Sequence, residues 1–128
     1  MDDVYNPSIA PVADTWLALP EMDRINLVEA FHQLSGDFGE SLRLHASMHV
    51  VVENQLALGE PAETGRALSR LLAEGLDRHE AIHAIASVVC EHIFPVLKAT
   101  AEAPVAFDSK SYINALNNLS EKSWRGES

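Results

Sequence analysis

Four histidines fall in two pairs, His45-Ala46-Ser47-Met48-His49 and His79-Glu80-Ala81-Ile82-His83. On a helix, residues four apart stand one turn apart on one face, so each pair can aim both imidazoles at a single point. A divalent transition metal takes two ligands from one helix in this way, and zinc, iron, manganese and nickel all accept imidazole nitrogen. His45, His49, His79 and His83 are therefore the candidate metal ligands. His32, Glu53 and Glu80 stand beside them as further ligands, or as hydrogen-bond partners that orient the rings. Only neutral imidazole binds a metal, so the expected affinity falls as pH drops through roughly 6.5.

The same residues admit other chemistry. His79-Glu80-Ala81-Ile82-His83 matches H-E-x-x-H, in which two histidines hold zinc and the glutamate activates water. Against that reading, no glycine follows at the offset of the longer metzincin pattern, no strand pattern precedes the helix, and Glu80 has a sufficient role in a capping box with Asp77. Glu29-x-x-His32 and Glu80-x-x-His83 follow the ligand plan of di-iron bundles, with Glu53 as a bridge. That plan is incomplete, because Glu63 and Glu74 lie near the ends of their helix. The alternative to any metal is a non-catalytic interaction or structural module whose histidines are core residues, hydrogen-bonded to carbonyls, carboxylates or water. Cys90 reads as a small core residue, and His92 lies apart from the pairs. No catalytic residue is assigned.

The elements that position these side chains are helical. Residues 1–12 carry Pro7 and Pro11 without periodicity and read as an extended arm, followed by a short turn with Trp16 and Leu17 that Asp14 can cap. A helix over about 20–34 follows, with Met22, Ile25, Val28, Phe31 and His32 on its apolar stripe. The next, from Glu40 or Ser41 to Leu58, puts His45, Met48, His49, Val52 and Leu56 on one face, with Glu53 one turn beyond His49. A helix over 61–74 turns Leu68, Leu71 and Leu72 inward. Asp77 and Glu80 open the helix over 78–94, which Pro95 kinks or ends. Asp108 caps a last helix with Tyr112, Ile113, Leu116 and Leu119, and the tail over 121–128 is polar apart from Trp124.

The reading is thus an all-α, up-and-down helical bundle of about four to five helices in one domain over 1–128. Short connections make successive helices antiparallel neighbours, so the helices over 41–58 and 78–94 should run parallel and touch. Their histidine pairs, with His32, then meet at one end of the bundle, which places the metal site between two parallel helices.

The formal net charge of -10 argues against a phosphate-binding surface, since nucleic acid and anionic membranes need clustered Lys and Arg. Cations are the favoured small partners. Purified protein is expected to ignore DNA and anionic vesicles at physiological salt. A homo-oligomer stays open. A single cysteine fits a reducing cytoplasm, and neither a signal peptide nor a segment long and apolar enough to span a bilayer is expected.

The segments 44–55, Leu44-His45-Ala46-Ser47-Met48-His49-Val50-Val51-Val52-Glu53-Asn54-Gln55, and 74–85, which holds Arg78-His79-Glu80-Ala81-Ile82-His83, resemble those of a family of small bacterial proteins known only as a domain of unknown function. The resemblance also takes in 16–32 and leaves out residues before 14 and after about 98. It implies a bacterial cytoplasmic protein and carries no established activity to His45, His49, Glu53, His79, Glu80 or His83.

Overall fold

Apolar residues recurring every three to four positions produce helices throughout. The computed structural model describes residues 5–35 and 42–124, with side chains described over 5–28 and 46–124. Among the described residues there are seven helices and no strand: α1 (Ala13–Ala18), α2 (Glu21–Ser35), α3 (Leu42–Leu58), α4 (Ala62–Ala73), α5 (Arg78–Leu97), α6 (Ser109–Asn118) and α7 (Glu121–Trp124). The protein is an all-α helical bundle.

Local chemistry sets most of the boundaries. Asp77 accepts from the backbone N–H of Glu80 at 2.8 Å, and Asp108 from that of Ser111 at 3.1 Å, so both expected caps form. Gly59 and Gly75 end α3 and α4 at φ +73° and +107°, a conformation that costs a residue with a Cβ and costs glycine little. α5 runs through Pro95 to Leu97, the proline having no N–H to donate to the carbonyl one turn back. Asp14 is not a cap; it lies in the first turn of α1, whose N-cap is Val12. Residues 121–124, read from sequence as polar tail, form a helical turn whose Trp124 packs on the core.

α3 carries three one-turn pairs around its axis, and each has a different destination. Met48 and Val52 join a large core with Leu71, Ile82, Ile85 and Leu116. Ala46 and Val50 pack in a smaller one with Tyr5, Trp16 and Val28. His49 and Glu53 are buried too, and they begin the site. α5 is the central element, buried at Ala81, Ile82, Ala84, Ile85, Ala86, Val88 and Val89, which is more than one stripe. Two inward assignments fail: Met22 is 52% exposed and Leu72 is 42% exposed. On α4 the buried residues are Thr64, Ala67 and Leu71, three and four apart on one face, and Leu72, one residue on from Leu71, turns away from it.

By length and composition α5 is long and apolar enough to cross a bilayer, with mean hydropathy 1.4, which corrects the expectation that no segment would be. Its apolar side chains from Ala81 to Val89 belong to the bundle core, Phe94 and Leu97 near its end are exposed, and it also carries Arg78, His79, Glu80, His83 and Glu91. Because α5 holds two of the candidate ligands, its start is worth testing. Asp77→Ala is expected to lower stability by about 1 kcal/mol, read as a lower urea midpoint at unchanged slope. An unshifted midpoint would mean that the cap contributes nothing to α5.

Candidate metal centre

His49 on α3 and His79 and His83 on α5 converge. Their rings are edge to face, with centroids 4.3 Å apart for His79 and His83, 4.8 Å for His49 and His83, and 5.5 Å for His49 and His79. Each offers one donor atom, and these atoms all lie within 4.8 Å of one another. His49 is fully buried, and the Nε2 atoms of His49 and His79 are sealed from solvent. Three imidazole nitrogens at 2.0–2.1 Å from a tetrahedral ion stand about 3.3 Å apart, closer than the 4.8 Å within which these three lie.

The buried carboxylate of Glu53 organises the other side of His49. Arg78, the first residue of α5, donates Nη1 to Glu53 Oε2 and Nη2 to Oε1, both at 2.8 Å, in the two-pronged pairing that guanidinium geometry favours. Glu53 is 1% exposed, so this ion pair is almost wholly inside the protein. Burial alone would lower the Arg78 pKa; the hydrogen bonds and charge of Glu53 outweigh it and hold the guanidinium above its ordinary value. Tyr5 completes the group: its hydroxyl donates to Glu53 Oε2 at 2.6 Å and stands 3.2 Å from His49 Nδ1. Burial, then the Glu53 charge, push the Tyr5 phenol far above its ordinary range, so it keeps its proton.

The smaller core holds this group against the bundle. Tyr5 packs on Trp16, whose indole N–H donates to Asn54 Oδ1 at 2.9 Å, and Arg24 reaches the same oxygen at 2.7 Å while donating to the Leu19 carbonyl. Arg78 Nη1 also donates to the Pro7 carbonyl at 2.8 Å, tying the N-terminal arm to the start of α5.

Three of the seven candidate residues are thus brought together as donors. Glu53 lies beside them and accepts from the Tyr5 hydroxyl, which stands 3.2 Å from His49 Nδ1. Glu80 is placed at the helix cap and is not among the three converging donors. The side chains of His32 and His45 lie outside the described residues, as do those of Glu29 and Phe31. His92 is apart, as expected, with Nδ1 2.8 Å from the Val88 carbonyl and its ring against Tyr112. Burial, then Glu91, raise the Cys90 pKa, in keeping with an unreactive thiol packed on the core.

α3 and α5 touch, as expected. Glu53 pairs with Arg78 and His49 stands between His79 and His83, while Gln55, further along α3, accepts from Tyr112, whose ring lies against His92, further along α5. The expectation assumed that each helix packs chiefly on the next. Instead α3 packs chiefly on α2 and α5, and α4 lies mainly against α5 and α6.

Tyr5 and Arg78 were not legible as site residues. The available signal was Glu53 itself: a carboxylate on an apolar stripe demands a cation, and Arg78 adjoins His79.

Fold and cluster together define a small helical protein with a trio of imidazoles, one buried and two half-buried, backed by an ion pair. Residues 24–118 match the family described as "Domain of unknown function (DUF1841)", and the chain belongs to that family. The match starts later than the resemblance read from sequence and extends past residue 98. It contains His49, Glu53, Arg78, His79 and His83 and leaves out Tyr5 and Trp16. No curated protein and no solved structure matches the chain.

Proposed function

We propose that this protein binds one divalent transition-metal ion through His49, His79 and His83. The observation that carries the reading is the convergence of three ring nitrogens within 4.8 Å from two helices. Around it, the electrostatics are favourable. The Glu53 and Arg78 charges cancel locally, three neutral imidazoles accept a cation without a like charge against it, and the chain as a whole carries -10. Among the described residues the donor set is nitrogen alone, which suits zinc, iron or nickel better than manganese, an ion that favours carboxylates. Three protein ligands leave a coordination position for water or substrate, the pattern of catalytic rather than structural zinc sites. A metal-dependent hydrolase or oxidoreductase is the class of activity such a centre serves.

The rival is a non-catalytic module in which the three rings are core residues only. Metal content distinguishes the two. Protein purified without a histidine tag should carry, or take up from dilute zinc, one equivalent per chain by elemental analysis. His83→Ala should abolish that uptake and His92→Ala should leave it unchanged. Wild-type protein that takes up no zinc, nickel or ferrous iron would decide for the rival.

A further inference from the structure

The N-terminal arm, unremarkable in sequence, supplies a buried phenol to the cluster. Tyr5 is 3% exposed, and its hydroxyl, with one proton, stands 2.6 Å from Glu53 Oε2 and 3.2 Å from His49 Nδ1. Both oxygens of Glu53 accept from Arg78, so Glu53 has only acceptor capacity to offer. The proton therefore lies toward Glu53, and the 2.6 Å separation is that of a hydroxyl donating to a carboxylate. The Tyr5 oxygen then has lone pairs alone to turn toward His49, and a contact with Nδ1 is favourable only when Nδ1 carries the hydrogen. A neutral ring protonated at Nδ1 has its lone pair on Nε2, the atom of His49 that is sealed inside.

We infer that Tyr5 is a positioning residue of the metal centre, fixing His49 in the tautomer whose Nε2 lone pair is available to the ion. The inference rests on the metal reading above. It assigns the order His49 to Tyr5 to Glu53 to Arg78 to a chain of hydrogen bonds that carries the carboxylate's negative charge toward a ligand ring without placing the carboxylate on the metal. Such outer groups orient a ligand and raise its basicity, and losing one typically costs about 10- to 100-fold in metal affinity. Because Tyr5 and Pro7 precede the matched region, this part of the site is contributed from outside it.

The test compares zinc affinity by competition with a chromophoric chelator in wild type, Tyr5→Phe and Trp16→Phe, together with nitrogen-15 NMR of the imidazoles of the apo wild type. Tyr5→Phe keeps the ring and removes only the hydroxyl; it should retain one zinc per chain with a Kd raised about 10- to 100-fold. Trp16→Phe disturbs the packing around Tyr5 and should leave the Kd within about twofold. An equal loss in both variants would mark the effect as arm packing and overturn the assignment. The NMR spectrum should show His49 protonated at Nδ1; protonation at Nε2 would overturn it even if Tyr5→Phe failed to fold. One zinc in wild type with an unchanged Kd in Tyr5→Phe would remove Tyr5 and leave the site, whereas no zinc in wild type would remove both.

Discussion

Arg78→Ala is expected to destabilise the protein by about 3 to 5 kcal/mol, the cost of leaving a buried charge without its partner. The size follows from where Glu53 sits. At 1% exposure it has no solvent to turn to, and Arg78 supplies two of the three hydrogen bonds described for its oxygens. The arm loses its anchor as well, since the Pro7 carbonyl accepts from the same guanidinium. Arg78→Lys keeps the charge but not the fork, and should recover only part of the loss. Removing both charges, as in Arg78→Met with Glu53→Gln, should be less costly than Arg78→Ala alone, because the unpaired ion and not the missing contact carries most of the penalty. Urea denaturation of the three variants reads this directly. A loss below about 1 kcal/mol in Arg78→Ala would mean that Glu53 finds water or a proton, and the buried pair would no longer explain how the arm is held.

What could be foreseen from sequence and what could not divides along chain separation. Asp77 with Glu80, Asp108 with Ser111, and the positive-φ glycines 59 and 75 act within a few residues, so the helices they bound were legible. The spacing of His79 and His83 is likewise local, and His49 was reached through its place on the α3 stripe. Tyr5 meets His49 across 44 residues and Glu53 across 48, and Arg78 meets Pro7 across 71. Contacts of that range leave no periodic trace, and an arm with two prolines gives no pattern from which burial of Tyr5 could be inferred. That α4 lies mainly against α5 and α6 was not legible for a related reason. Connection length constrains which helices are neighbours only when each packs on the next, and here the small residues Ala81, Ala84 and Ala86 let α5 take a central place among α3, α4 and α6.

Zinc at a free concentration a thousandfold above its Kd is expected to stabilise the wild type by about 4 kcal/mol relative to chelator-treated protein. For a chain of this length that corresponds to a rise in melting temperature of about 10 to 15 °C. The ligands come from α3 and α5, whose sequence positions are separated by all of α4, so the ion joins elements that the unfolded chain does not hold together. The unfolded state has single histidines and i,i+4 pairs without a fixed geometry; it binds zinc weakly and takes back only a little of the gain. His83→Ala should melt at one temperature with or without zinc, and His92→Ala should keep the full shift, since its ring is engaged with the Val88 carbonyl. Equal zinc shifts in wild type and His83→Ala would move the stabilising ion to another site. A zinc-insensitive wild type would instead mean that the three rings are held as they are by the core around Ile82 and Ile85 without any ion.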